Sequence, residues 1–497
     1  HLSVRYRELL RNNPEARHHD IIRDATVSMF IPCLFVILTT IVGFGSLLLS
    51  ELLPVINLGW MMSTGIAISF VISFLVFPAV LALTPKRLPY TGFEQHFQLT
   101  QALGRVAEKY SKHIYVASAL VLLLGITGAS RLIVENSFID YFKSDTEIYK
   151  GMKLIDTTLG GTTPLDVIVD FSVDKQESEN KAAESVDPLF AEMAAGFEAA
   201  ASGPEYWFTD DKMARIEAIH DYLDALPESG KVLSFGTVLK TGRIINGGEN
   251  LDSLQLALVY NRLPDTYRSV LLDPYIDVES DQARFTLRII DSREDLRRNQ
   301  LLEKISSELP VEVNIAADDV RLAGIMLLYN NMLQSLFDTQ IKTLALVVLI
   351  LGVMFFILFR SLKIAFIALI SNVISISAVF GLMGWANIPL DMMTITIAAI
   401  SMGIAVDDTI HYLHRFRIEV AKDADYLGAM HRSHASIGYA IFYTSMAIIV
   451  GFSVLVLSNF LPTIYFGLLT VMAMLMALTA NLLLLPRLIL WIRPFRT

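Results

Sequence analysis

Two adjacent carboxylic acids, Asp407 and Asp408, lie near the end of a long apolar run. On membrane-insertion scales a carboxylate inside a bilayer costs roughly 2.5–3.5 kcal/mol. It is tolerated where it faces water, packs among other helices or carries a proton. Because two like charges this close oppose simultaneous ionisation, at least one acid is suited to bind a proton. The sequence therefore predicts a proton relay at Asp407 and Asp408.

The residues near the pair include groups that could take part in such a relay. His411 follows at a spacing of four and three residues, one helical turn from both acids. Gly403 lies one turn earlier and is predicted to let another helix approach closely. Thr444 and Ser445 could instead bond their own helix backbone. The predicted relay partners are His411, Asn372, Tyr443, Thr444 and Ser445.

The neighbouring apolar runs indicate the coupling ion. Near their middle they hold no Lys or Arg, so no fixed positive charge is available to neutralise the acids. A proton is then the expected neutraliser, and Na⁺ is left open. The alternative is a hydrated, passive pair at the cytoplasmic mouth, since Arg415 follows only eight residues after Asp407.

The composition indicates a membrane protein. The chain has 497 residues, is 53% hydrophobic and has a mean hydropathy of +0.50, too apolar for a soluble protein of this size. Basic residues avoid the short loops 50–57, 385–391 and 458–462, so both ends are predicted to be cytoplasmic. Eight apolar runs are long enough to span a bilayer: 28–49, 58–83, 113–130, 341–359, 363–386, 391–410, 437–457 and 463–490.

A long segment between the third and fourth runs is predicted to lie outside the cytoplasm. Residues 131–338 carry 37 Asp and Glu against 20 Lys and Arg, a balance poorly suited to nucleic acid. Strand-like and helix-like patterns alternate, which predicts two α/β subdomains of the split βαβ kind. The predicted elements are strands 132–134, 164–171, 283–290 and 311–316, with helices 148–159, 213–226 and 293–309.

Residues 1–83 repeat residues 411–491. Ile41-Val-Gly-Phe44 matches Ile449-Val-Gly-Phe452, and Pro54, Gly59 and Pro78 have counterparts in the second copy. The second copy follows three apolar runs and the acid pair, whereas nothing precedes the first. We therefore expect the chain to be the C-terminal part of a longer protein, with the absent front half as its partner.

The acid-pair segment, Gly403 to Arg417, resembles a helix signature of the resistance-nodulation-division (RND) superfamily. Phe359-Arg-Ser-Leu362, Gly381-Leu-Met-Gly384 and Gly451-Phe452 resemble its MMPL branch. The resemblance implies a twelve-helix secondary transporter of a bacterial inner membrane, not an enzyme and without a cofactor. It also implies export of lipids or other hydrophobic or amphiphilic molecules, driven by the proton motive force, with Asp407 as the relay position.

The resemblance leaves two alternative functions open. A Sec-type protein-translocation accessory subunit and a non-transporting sterol-sensing or scaffold protein are the alternative functions. No sequence feature selects a substrate, and a homo-oligomer is left open. The resemblance also assigns the parts of the chain: 1–90 to the last two helices of the first repeat, 91–112 to a cytoplasmic linker, 113–132 to helix seven, 133–338 to one exterior porter-like domain, 339–491 to helices eight to twelve, and 492–497 to a cytoplasmic tail.

Overall fold

The computed structural model describes residues 2–86, 99–132, 137–171, 207–293, 295–391 and 393–495. The chain divides into two compact units. One consists of His1–Asn136 and Leu333–Thr497, and the other of Ser137–Met332. The predicted strand 132–134 falls largely outside the described residues, as does the first part, 91–98, of the predicted linker 91–112.

The helices and strands are numbered in chain order. The strands are β1 (Thr163–Asp170), β2 (Ser229–Leu233), β3 (Ile276–Asp277), β4 (Gln282–Ile289) and β5 (Val320–Ala323). The α-helices are α1 (Leu2–Asn12), α2 (His18–Gly45), α3 (Leu53–Leu83), α4 (Leu99–Lys109), α5 (Ser111–Ala129), α6 (Glu147–Thr158), α7 (Asp210–Asp224), α8 (Phe235–Ile245), α9 (Ser253–Arg262), α10 (Asp265–Leu271), α11 (Arg298–Glu312), α12 (Ile325–Phe359), α13 (Leu362–Trp385), α14 (Ile397–Asp423), α15 (Tyr426–Ser453), α16 (Leu461–Thr479) and α17 (Leu485–Ile492).

The chain is a multi-pass helical membrane protein. Seven of the eight predicted runs are confirmed as spans by length and composition. The eighth, 391–410, contains the acid pair; it forms a helix, α14, whose polar residues leave it less apolar than the others, so its crossing of the membrane stays a prediction. Within the described residues the seven candidate spans are His18–Leu49, Leu53–Leu83, Ser111–Ala129, Ile325–Phe359, Leu362–Trp385, Tyr426–Leu457 and Leu461–Ile492.

The internal repeat is present in the structure. Helices α2 and α15 begin and end at positions 408 residues apart. Each continues into a four-residue 3-10 turn, and the following helices, α3 and α16, start at the same offset. A Cβ on Gly59 would lie 2.8 Å from the Phe44 carbonyl oxygen, and one on Gly467 would lie 2.7 Å from that of Phe452. The two copies therefore share even the close approach at their helical corners.

Glycines bring two further helix pairs into backbone contact. Between α5 and α13, a Cβ on Gly384 would lie 1.8 Å from the carbonyl oxygen of Gly128. Between α2 and α14, a Cβ on Gly43 would lie 2.9 Å from the carbonyl oxygen of Ala399 and 3.0 Å from the Cα of Gly403. Since lipid tails are as apolar as the helices, such close van der Waals packing drives association in a membrane. Gly403, the predicted packing residue, lies at this contact.

Within its described residues, the second unit contains one antiparallel sheet with the strand order β2-β4-β1-β5, and β3 pairs with β4. Alternate residues of β1 and β4 are buried and lie opposite each other, with Val167 paired to Phe285 and Leu165 to Leu287. Buried apolar residues of α7 and α11 belong to the same core. Asp166 marks the opposite face, where it accepts hydrogen bonds from Arg284 and Thr286. The sheet is therefore covered on one face, as antiparallel sheets commonly are.

The prediction of two separate subdomains is corrected by this sheet, because strands from both predicted sets pair in it. β1 and β4 were expected in different subdomains, yet they form an eight-residue ladder. The predicted strand 311–316 is also wrong. Pro310 does not end the preceding helix, which continues to Glu312, and the last strand is β5. The helices predicted at 148–159, 213–226 and 293–309 are present as α6, α7 and α11, with shifted ends.

A buried carboxylate organises the loops at one end of the sheet. Asp156 has no solvent exposure and accepts hydrogen bonds from the Thr162 hydroxyl at 2.6 Å and from the backbone amides of Asp291 and Ser292 at 3.0 and 2.8 Å. Burial raises the pKa of Asp156, but these hydrogen bonds outweigh it and hold the pKa below the ordinary value. The ionised form is therefore the one that stabilises the fold.

The glycine contact predicts an asymmetric response to alanine. Gly43→Ala should lower the free energy of unfolding by about 1–3 kcal/mol, because its methyl would press on backbone atoms that cannot rotate away. Gly403→Ala should change it by less than about 1 kcal/mol, because its nearest neighbours would lie 3.4 Å away. Gly45 has open space around it and provides the control on the same helix. Denaturant unfolding of the purified protein in detergent measures these changes; equal stability of Gly43→Ala and Gly45→Ala would contradict the packing.

The Asp156 network predicts a pH-dependent loss of stability. Asp156→Ala should destabilise the second unit by about 2 kcal/mol at neutral pH, since it removes hydrogen bonds to a charged group. The folded pKa lies below the unfolded one, so this stabilisation is present above about pH 4 and declines as the pH falls through the folded value. Hydrogen exchange of the β4 amides should show the loss, with exposed Asp318→Ala as the control. A difference from wild type that stayed constant down to pH 2 would count against this explanation.

Candidate functional site

The helix of the acid pair begins at a carboxylate cap and a 3-10 turn. Asp391 Oδ1 accepts hydrogen bonds from the amides of Met393 and Thr394. A 3-10 turn, Thr394–Thr396, then leads into α14. α14 packs against α2, α13, α15 and α16, and most of its residues are buried. The acids are therefore placed inside a helix bundle.

The two acids have different surroundings. Asp408 is buried, and the Ser445 hydroxyl on α15 donates to its Oδ2 at 2.9 Å. Thr444 lies 3.5 Å from Oδ1, but it also bonds the carbonyls of its own helix. Asp407 is 27% exposed, and its Oδ1 lies 3.2 Å from Nε2 of the buried His411. One acid thus faces the neighbouring helix, and the other faces a histidine one turn along its own helix.

Two of the predicted partners lie elsewhere. Tyr443 is 40% exposed, and its ring packs edge-on against that of Phe442. Asn372 is buried, and its amide donates to Thr409 at 3.1 Å and to the carbonyl oxygen of Ala368. Neither side chain hydrogen-bonds an acid within the described part of the chain. The structure therefore brings His411, Thr444 and Ser445 to the acids. Asn372 instead contacts Thr409, the residue that follows Asp408.

A buried hydrogen-bond network that the sequence analysis missed lies beside Asp408. Thr409 donates to the Oδ1 of Asn481 at 2.8 Å, and Ser371 donates to the same oxygen at 3.3 Å. Asn481 lies in a π-helical segment, Ala480–Leu484, between α16 and α17. Such segments are rare and often occur at functional sites. One asparagine in an otherwise apolar run was the signal that could have identified it, because polar residues in spans are seldom incidental.

A cluster of ion pairs lies at the other end of α14. The Arg415 guanidinium contacts both carboxylate oxygens of Glu8 on α1, at 2.7 and 3.0 Å. It also pairs with Glu419, whose side chain is 1% exposed and further pairs with Lys422 and Arg432. Such buried pairs rely on mutual hydrogen bonding, since an uncompensated buried charge is costly. Arg415 is thus engaged with Glu8 and Glu419.

The geometry defines what the site can do chemically. The Asp408 carboxyl can be ionised, with the Ser445 hydroxyl donating to it, or protonated and neutral. The hydrogen bond to Ser445 is stronger when the carboxyl is ionised. The neighbouring Asp407 and His411 are both titratable, and the Asp407 side chain is partly exposed. The arrangement suits binding and passing protons between groups of a helix bundle.

Comparisons with known proteins agree with this architecture. Residues 280–495 match the model of the MMPL family. A putative membrane protein of Methanocaldococcus jannaschii is 26% identical over 209 residues, which cover 40% of this chain and 50% of that protein. This chain therefore spans about half the length of the curated relative that it matches.

Two solved structures share the fold. One is the hedgehog release protein Disp of the water bear Hypsibius dujardini, with a TM-score of 0.54 at 11% identity, covering 95% of this chain and 59% of that one. The other is SecDF, with a TM-score of 0.50 at 12% identity, covering 99% of this chain and 52% of that one. At these identities the likeness concerns the fold. Residues 280–495 are therefore similar to the MMPL family, and the chain has a fold like those of Disp and SecDF.

Proposed function

We propose that this chain is part of a secondary transporter that uses the proton motive force to export hydrophobic or amphiphilic molecules, such as lipids, from a bacterial inner membrane. One observation carries the proposal. Asp408 is a buried carboxyl held by Ser445 inside a bundle of apolar helices, next to the more accessible Asp407 and His411. The match of residues 280–495 to the MMPL family supports transport as the general activity.

Protonation of Asp408 is the proposed switch. The ionised carboxyl requires donors and favours the α14–α15 arrangement in which Ser445 donates to it at 2.9 Å. A proton removes the charge and the need for that donor, so the two helices can repack. One charge crossing about 100 mV supplies about 2.3 kcal/mol. This energy is sufficient for a modest shift between two packings of the bundle.

Asp407 and His411 are the proposed exit from the switch. Their contact at 3.2 Å would let a proton move between carboxyl and imidazole. Further along α14, Arg415 forms an ion pair with Glu8, so the helix passes from hydroxyl contacts near Asp408 to charged contacts here. With both chain ends cytoplasmic, as the basic loops predict, protons released here would enter the cytoplasm.

Replacing either acid with its amide tests the relay. Asp408→Asn and Asp407→Asn should each lower proton-coupled export by on the order of 10²-fold or more, because an amide fills the same space but cannot bind and release a proton as a carboxyl does. The full-length protein in proteoliposomes, with a pH-sensitive dye inside, measures the flux. Asp423→Asn, exposed at the end of the same helix, is the matched control. Export that stays proton-coupled in both amide variants would rule out the relay.

Native mass spectrometry of the full-length protein separates this proposal from its alternatives. A lipid exporter should retain membrane lipid on purification, and the bound lipid should be lost on turnover under a pH gradient. A scaffold or sterol-sensing protein should retain lipid that the gradient does not release. A Sec-type subunit should instead stimulate translocation of a secretory polypeptide in vesicles. Gradient-driven polypeptide movement without lipid release would reject the proposed cargo.

A further inference from the structure

A second buried carboxyl lies at the start of the acid-pair helix. Asp391 is 2% exposed. Its Oδ1 accepts from the amides of Met393 at 2.8 Å and Thr394 at 2.7 Å, and its own amide donates to the Thr394 hydroxyl at 2.8 Å. This is a reciprocal N-terminal cap. It requires a single acceptor oxygen, which an asparagine would also provide.

The second oxygen of Asp391 has no such use. Oδ2 is buried and has no hydrogen-bond partner among the described residues. The ion pairs of those residues do not include Asp391, and α16, which packs against the 3-10 turn, has Tyr465 as its single titratable side chain. A buried, uncompensated carboxylate oxygen is costly. A proton on Oδ2 removes the negative charge, which is the larger part of that cost.

Buried hydroxyls lie along the helix between this carboxyl and the acid pair. Thr394, Ser401 and Asp408 follow one another at intervals of seven residues, which places them on one face of the helix, and Asp391 precedes Thr394 by three. All four are buried, at 3% exposure or less. Ser401 Oγ has no hydrogen-bond partner within the described residues. Intervals of seven residues correspond to about 10.5 Å along a helix, a distance that a short chain of water molecules can bridge.

We propose that Asp391 is the exterior proton-binding carboxyl of the relay and delivers protons to Asp408 through water held by the hydroxyls of Thr394 and Ser401. Asp391 takes up, on Oδ2, a proton that arrives from the exterior side. Each hydroxyl and water along the face accepts one proton and donates another, so Asp408 gains one proton as Asp391 loses one. The inference rests on the proposed function and on the predicted exterior position of 385–391.

The test separates capping from proton delivery. Asp391→Asn keeps the acceptor oxygen of the cap but cannot hold the proton. Asp425→Asn is the matched control, because Asp425 caps α15 through Leu427 in the same way but is exposed. The readout is the infrared carbonyl band of protonated Asp408, identified by its loss in Asp408→Asn. It is followed in the full-length protein in oriented vesicles after an acid jump on one face.

After a jump on the exterior face, Asp391→Asn should slow the growth of the Asp408 band by on the order of 10²-fold without changing its final amplitude. After a jump on the opposite face, its rate should equal that of wild type. Asp425→Asn should match wild type in both cases. An unchanged exterior rate in Asp391→Asn would show that Asp391 only caps the helix, and would overturn the inference.

Two further measurements keep the outcome interpretable. Thermal unfolding checks that Asp391→Asn folds. If it does not, Ser401→Ala provides the test in its place, because it breaks no described hydrogen bond. Ser401→Ala should slow the growth of the Asp408 band after a jump on the exterior face. A wild-type rate in Ser401→Ala would then overturn the route. Absence of any acid-dependent Asp408 band in wild type would remove the proposed function itself, and this inference with it. Failure of the inference alone leaves that band intact.

Discussion

The structure depends on the free-energy cost of placing the Asp408 carboxyl among apolar helices. A charge there needs donors, and α15 supplies them through Ser445 and, at longer range, Thr444. The donors reach the acid only because α14 is held in position, and on another side of α14 the contact of Gly43 with Gly403 allows backbones to meet. Close packing and polar contact therefore support each other: without the first, the second could not form.

The two copies of the repeat use one fold for different purposes. At the positions of Thr444 and Ser445, the first copy has Val36 and Ile37, so α2 has no hydroxyl at these two positions. It instead packs on α14 through Gly43. The copies also differ at Asn481, which lies in a π-helical segment, whereas the equivalent stretch of α3 is regular α-helix. The serine that donates to Asp408 and the buried Asn481 therefore both belong to the second copy.

Much of the fold and part of the site can be predicted from the sequence, for identifiable reasons. The spans are predicted from the length of the apolar runs. The role of the acids is predicted from the free-energy cost of a charge in a membrane. The sequence does not tell which of Tyr443, Thr444 and Ser445 faces Asp408. Successive residues point about 100° apart, and the helix is apolar on most sides, so the pattern does not fix its orientation. Asn481 was missed because its partner Thr409 comes from a segment 72 residues away.

The same limit explains the second unit. Alternation in β1 and β4 identifies both as strands, yet their pairing joins Val167 to Phe285, and the intervening chain gives no local signal for it. Sequence patterns reveal which face of a strand is buried, not which strand lies beside it. The prediction therefore divided the strands between two sheets, although one sheet with one covered face buries the same residues.

The contacts of α14 also limit how the bundle can respond to a proton. Near its last turns, Arg415 is fixed to Glu8 of α1, and Glu419 to Arg432 of α15, by charged hydrogen bonds of 2.7–3.0 Å. Near its middle, the bond from Ser445 to Asp408 depends on the protonation state. Because only the second contact changes with a proton, sliding α14 along its axis would break the first set at high cost. A tilt about the ion-pair cluster preserves those pairs and still displaces Asp408, so a hinge-like motion is the response that this bundle favours.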